Sequence, residues 1–342
     1  MSWTGDTVDV RFHGHEVRES SRRPRGDDGF GMKLRVVLGV VVLVASVVLC
    51  LPPPVHAVPV PGTGCTLFPK NNIWNTRVDG LPVDPKSDVW LRTMEAGTTN
   101  LHPDFGPPDY GLPFDVVTNR HKTVWISFLY SNESDHVHYP LGAKTPIEGG
   151  SDHHALIVNE STCTLYELYD VNWNGGKPTA GSGAVWDLSS NALRPDGWTS
   201  ADAAGLPILP GLVRYDEVLD GHIRHAIRFT TELTRDTHLW PARHDAGSTE
   251  QSYPPMGARF RLKTDFDLSS FTPKARVILR AMQRYGLILA DNGVNWFFQG
   301  TVDDRWRNRL LDQLKSVPAA AFEAVDESAC MVTSDSGRAD CP

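Results

Sequence analysis

The sequence predicts a mainly β fold with α+β character at its C-terminal end: a single β-sandwich or jelly-roll-like domain carrying two helices late in the chain. Three observations predict it. Short apolar or alternating runs recur between residues 114 and 262, the pattern of strands half or wholly buried in packed sheets. The 29 glycines and 25 prolines punctuate those runs with turns instead of gathering in one linker. Strong helical periodicity appears only after residue 272.

The N-terminal part reads as targeting sequence. Lys33 and Arg35 precede Val36–Leu51, 16 residues without a charge, followed by Pro52-Pro53-Pro54 and Val55-His56-Ala57. A basic start, an apolar run and a small-residue cleavage site are the parts of a secretory signal, and the run is shorter than the roughly 20 residues that span a bilayer comfortably. Residues 1–31 are read as upstream of the true start, 32–57 as the signal, 58–326 as one β-rich domain and 327–342 as a loose polar tail. The alternative is an uncleaved anchor at residues 36–51 holding the protein to the membrane. Removal of residues 1–57 leaves 26 basic and 35 acidic residues, a net charge of −9 against −8 for the whole chain. That balance disfavours nucleic acid and anionic lipid as partners, and the chain reads as a monomer. Four cysteines remain, an even number in an exported chain; the favoured pairing is Cys65 with Cys163 and Cys330 with Cys341.

Taken in order, Ser87–Glu95 reads as a short helix capped by Ser87. Phe114–Val117 is a strand. Thr123–Tyr130 is apolar on both faces and reads as an inner strand. Ala155–Val158 and Thr164–Tyr169 form a hairpin, and Val185–Leu188 a further strand. Thr199 and Asp202 have the spacing of a helix start. His222–Thr230 alternates as a strand with Ile223, His225, Ile227 and Phe229 on one face. Arg259–Leu262 continues the pattern. Thr272-Pro273 opens a helix that Gly286 ends. Leu287–Ala290 and Val294–Phe298 flank Asn292-Gly293, the strongest short hairpin signal in the chain. A second helix follows Thr301 and Asp304, and Phe322–Val325 returns as an edge strand.

Candidate chemistry gathers in four places. Glu148, the flexible Gly149-Gly150-Ser151 turn, and Asp152, His153 and His154 feed into a strand, a sequence suited to acid/base work. A metal on Asp152 and His154, completed by His225 or His244, is possible from residue type alone; no cofactor motif is present, and the plain alternative is a loop-to-strand junction. His225 and Arg228 lie on the basic strand, with Glu167 as the carboxylate within an apolar strand that needs a reason to be there; a structural partnership is the competing reading. Trp240-Pro241 leads into Arg243-His244-Asp245. Asp291 sits in the Asn-Gly turn, where turn chemistry accounts for it. Trp198 and Trp240 lie in loops beside polar residues, as aromatic platforms for sugar rings do, although large aromatics also pin long loops. Nucleophile-elbow, zinc-helix, P-loop and dinucleotide signatures are absent from the sequence.

The runs GWTSADAAGLPILPGLVRYDEV, HAIRFT, WPARH, PPMGARFRLK and RYGLILADNG resemble a group of uncharacterised exported bacterial proteins, over most of residues 68–325. The resemblance implies export and brings no activity or site residue with it. From the residues, the expectation is a secreted carbohydrate-active enzyme acting on an extracellular or cell-wall polysaccharide, hydrolysis favoured over elimination. Asp152, His154, Glu167, Asp202, His225 and His244 are the catalytic candidates, and Trp198, Arg228 and Trp240 the substrate-binding ones. The alternative is a non-catalytic glycan-binding or envelope-associated protein. If the targeting reading holds, N-terminal sequencing of the exported protein begins at Val58; residues 1–31 on the mature chain would contradict it.

Overall fold

The run Ile227–Thr231 is buried at every position and lies at the centre of the larger sheet. The computed structural model describes residues 59–341, which belong to one compact unit. The signal, its cleavage site, the alternative anchor and the N-terminal extension lie outside the described residues. The strands are β1 (His102–Asp104), β2 (Phe114–Val117), β3 (Ser127–Phe128), β4 (Ala155–Asn159), β5 (Thr164–Tyr169), β6 (Thr179–Ala180), β7 (Ser182–Asp187), β8 (Ile227–Thr231), β9 (Arg235–His238), β10 (Pro255–Met256), β11 (Arg259–Leu262), β12 (Leu287–Asn292), β13 (Phe297–Gln299) and β14 (Phe322–Val325). The helices are α1 (Ser87–Thr93), α2 (Tyr215–Asp220), α3 (Pro273–Arg284) and α4 (Asn308–Leu314). Strand outweighs helix, as expected, in a sandwich-like α+β arrangement.

A six-stranded mixed sheet runs β1-β13-β8-β12-β11-β14, and a four-stranded sheet runs β2-β4-β5-β7. The four-stranded sheet is buried on both faces. Leu156, Val158 and Leu165 join the main core with Phe229, Phe260 and Leu289, while Ala155, Ile157 and Leu168 join a second cluster around Ile126, Tyr139 and Leu141. Alternation of period two explains why this stretch reads as apolar throughout. Helix α3 buries Ala275, Ile278, Leu279 and Met282 and packs on β11 and α4. Both expected disulfides are formed, Cys65–Cys163 and Cys330–Cys341. Among the described residues no helix is long and apolar enough to cross a membrane.

Several local expectations are corrected. Strands β12 and β13 do not pair as a hairpin. β8 lies between them, parallel to β12 and antiparallel to β13. The Asn292-Gly293 turn therefore steps over a neighbouring strand, and a Cβ on Gly293 would stand 2.9 Å from the Thr230 hydroxyl. Thr123–Tyr130 is not an inner strand: Ser127–Phe128 pairs with the two-residue β6, Val124 makes a single bridge to Tyr139, and Trp125 is 53% and Leu129 74% exposed. The strand expected over 222–230 begins at Ile227, so His225 lies before it. No helix follows Thr199, whose hydroxyl donates to the Asp202 carbonyl. Helix α1 starts at Ser87 itself, whose hydroxyl accepts from the Ala324 amide of β14 and does not cap the helix. The tail is not loose. Arg243 donates to the Ser334 carbonyl (2.7 Å) and the Asp335 carboxylate (2.8 Å), the Trp240 indole donates to the Ser336 carbonyl (2.9 Å), and Cys330 is buried.

Candidate active site

Where the two sheets meet, five ionisable side chains from separate segments form one cluster under a cleft. Strand β8 supplies Arg228, and β12 supplies Asp291. A bulge in the parallel pairing of these strands sets Leu289 opposite Phe229 and Asp291 opposite Thr230, leaving Ala290 as the extra residue. Such a bulge re-aims the side chain that follows it. The turn 199–205 brings Asp202: the Ala204 amide donates to the Ala290 carbonyl at 2.9 Å and ties the turn to β12. Gly205, at φ +66°, is required there, because a Cβ would fall 2.4 Å from the Trp198 carbonyl. His154 enters from the start of β4, and Glu148 from the preceding loop.

The contacts are specific. Arg228 grips Asp202 with two parallel hydrogen bonds, Nε to Oδ2 at 2.9 Å and Nη2 to Oδ1. Asp291 lies 3.8 Å from the same guanidinium and feels the Asp202 charge beside it. His154 Nδ1–H donates to Glu148 at 2.6 Å, and its Nε2 stands 3.1 Å from the Ala201 carbonyl. With acceptors at both ring nitrogens, the imidazolium satisfies both and a neutral ring only one. Burial pulls the His154 pKa down, but the Glu148 carboxylate outweighs it and the net direction is up. Glu148 is raised by burial and more than offset by His154, so its pKa falls. Asp291 is held well above the ordinary carboxyl range, first by burial and next by the Asp202 charge, which Arg228 only partly offsets. Two anions, Glu148 and Asp202, balance two cations, His154 and Arg228. A third ionised carboxylate would be uncompensated, so Asp291 keeps its proton.

The cleft above has a volume of about 410 Å³ and is lined by Tyr130, Glu133, Asp152, Tyr169, His244 and Asp291 among others. The Asp202 side chain is wholly covered, whereas that of Asp291 is 24% exposed, so Asp291 is the member of the pair that a ligand reaches. Glu133 is fixed by the Thr199 amide at 3.1 Å and faces His244 Nε2 at 3.6 Å; His244 Nδ1 donates to the Ala203 carbonyl at 2.7 Å.

The candidates from the sequence divide accordingly. Asp152, Asp202 and His244 line the cleft, and Arg228 and His154 lie in the cluster beneath it, His154 as a locked cation and not a base. Glu167 does not reach the cleft. It is fully buried, pushed up to about 7 by burial, and accepts hydrogen bonds from the Ile208 and Leu209 amides and the Trp186 indole. It is a strut that fixes the 208–209 turn. His225 is buried against α2, between the Glu217 carboxylate at 3.1 Å and the Ala226 carbonyl at 2.7 Å. Neither Trp198 nor Trp240 lines the cleft: Trp198 packs against the Arg194 guanidinium, 5.5 Å away, and Trp240 holds the tail. Glu133, Tyr130 and Tyr169 carried no sequence signal, and Asp291 carried a misleading one. Among the described residues no three His, Cys, Asp or Glu side chains converge as metal ligands, so Asp152, His154 and His225 or His244 do not form the metal set that their types allowed.

Comparison with protein-family models, curated proteins and solved structures finds no match to the chain.

Replacing Glu167 with Gln turns an acceptor into a donor facing three N–H groups. The expected loss is about 1–3 kcal/mol of stability in urea unfolding at neutral pH; an unchanged unfolding midpoint would remove its assignment as a strut.

Proposed function

We propose that the chain is a secreted glycoside hydrolase acting on an extracellular or cell-wall polysaccharide, with Asp291 as its general acid. One observation carries this reading: a reachable carboxyl, its pKa held up first by burial and next by the Asp202 charge, faces a cleft that also holds carboxylates and two tyrosines. Glycosidic cleavage needs one carboxyl that gives a proton and a second carboxylate that activates water or holds the developing sugar cation. Asp291 gives its proton to the leaving oxygen. Its own new charge, 3.8 Å from an Arg228 that Asp202 already engages, is only partly offset there, so the carboxyl regains a proton readily. Glu133, anchored by the Thr199 amide and beside His244, is the second carboxylate, and water supplies the hydroxyl for the anomeric carbon. Tyr130 and Tyr169 offer flat faces for sugar rings, and Asp152 and Asn292 take hydroxyls.

Hydrolysis is favoured over elimination for an electrostatic reason. A lyase needs a cation free to hold a uronate, but Arg228 is already engaged by Asp202, and Glu133 and Asp152 would repel a substrate carboxylate. Exposed Trp125, stacked on His136 with centroids 6.1 Å apart, favours a second reading, glycan binding without cleavage. The two disulfides suit an exported protein.

On a panel of neutral polysaccharides, Asp291→Asn is expected to lower the rate at least about a hundredfold, in the range of general acid contributions, with little change in melting temperature. Wild-type kcat should fall as pH rises through the raised Asp291 pKa, because the donor is then lost. Cleavage that survives Asp291→Asn would refute the assignment, and binding with no cleavage of any glycan would select the second reading.

A further inference from the structure

We propose a second binding site, for a small organic oxyanion, in the cavity between α3, the loop around residue 70 and the turn after α2. The cavity has a volume of about 600 Å³, more than the acid cleft, and shares no lining residue with it. That size suits a ligand of small-molecule dimensions. Lys70, His222, Arg224, Arg280 and Arg284 line it, a concentration of basic groups on a chain whose net charge is −8.

Not all of these bases are engaged. Arg224 and His222 both lie near Asp220, at 3.1 and 3.6 Å. Among the described residues Lys70, Arg280 and Arg284 form no ion pair. Arg284 sits in the last turn of α3, where a cation complements the helix dipole. Arg280 has no such reason. It lies mid-helix and exposed, four residues from Arg276 on one side and from Arg284 on the other, a spacing at which like charges repel. An oxyanion held between Arg280, Arg284 and Lys70 would relieve that repulsion, and guanidinium forks match carboxylate, phosphate and sulfate alike. Beside the polar Thr66 and Asn75, the wall has an apolar part: Phe68, Ile223, Val277 and the ring of Tyr285. The ligand therefore carries an apolar ring or chain as well as its charge. This site does not depend on the reading of the cleft.

The test is calorimetric titration of the isolated protein at low salt with phenyl phosphate, phthalate, inorganic phosphate and benzyl alcohol. Phenyl phosphate or phthalate should bind, more tightly than inorganic phosphate, and more weakly as salt is raised. Whichever of the two binds better identifies the oxyanion as phosphate or carboxylate. Arg280→Ala should weaken binding at least tenfold, and Arg284→Ala should do likewise; both residues are exposed, so the fold is expected to persist, checked by an unchanged melting temperature. No binding of either aromatic anion at millimolar concentration, or binding indifferent to both substitutions, would overturn the proposal. Equal affinity for inorganic phosphate and phenyl phosphate would overturn its apolar half.

Discussion

The paired hydrogen bonds between Arg228 and Asp202 are the constraint on which the junction of the two sheets depends. Burying a carboxylate and a guanidinium costs several kcal/mol each, recovered only when the geometry is close and the remaining polar atoms are satisfied. Here Arg228 is fixed in the central strand of the larger sheet and Asp202 in a turn that the neighbouring strand holds through one backbone hydrogen bond. Once they are paired, every other charge nearby is decided by balance. His154 is a cation with acceptors at both nitrogens, Glu148 is its anion, and the carboxyl left over must be neutral. An ionised carboxylate there would stand against Asp202 with Arg228 offsetting it only in part.

That arrangement joins stability to function. The charge pair lies out of reach and the neutral carboxyl lies in reach, because the β12 bulge turns Asp291 toward the cleft while the 199–205 turn covers Asp202. Glu167 supports the same region from below by holding the 208–209 turn with a carboxylate and not with an arginine. Buried charge in this fold thus has two uses. Around Glu167 and around His225 with Glu217 it fastens irregular chain to regular strands. Around Asp202 it sets the protonation of a neighbour.

The parts of the fold legible in the sequence were those decided locally. Phe114–Val117, Arg259–Leu262 and Phe322–Val325 alternate or run apolar between turn residues, and each is a strand with those bounds. The 155–169 hairpin and α3 were legible for the same reason. What escaped was decided by distant partners. Asn292-Gly293 carries hairpin chemistry, yet the space between its strands is taken by β8, about sixty residues earlier in the chain. Thr199 and Asp202 have helix-start spacing, but the carboxylate is drawn to Arg228 instead. Asp291 was hidden by its setting in an Asp-Asn-Gly turn, where a turn role suffices. Asp202, Arg228, His154 and His244 were found by residue type; that Glu167 and His225 belong elsewhere could be learned only from which buried donors and carboxylates surround them.

The proposed general acid requires Asp291 to carry a proton that an ordinary surface carboxyl would have lost. Carbon-13 NMR titration of the aspartate side-chain carboxyls, with Asp291 assigned by its loss in Asp291→Asn, measures this directly. Asp291 is expected to remain protonated well above pH 4 and to titrate later than the ordinary aspartates of the same chain. An Asp291 resonance that ionises with them, near pH 4, would contradict it.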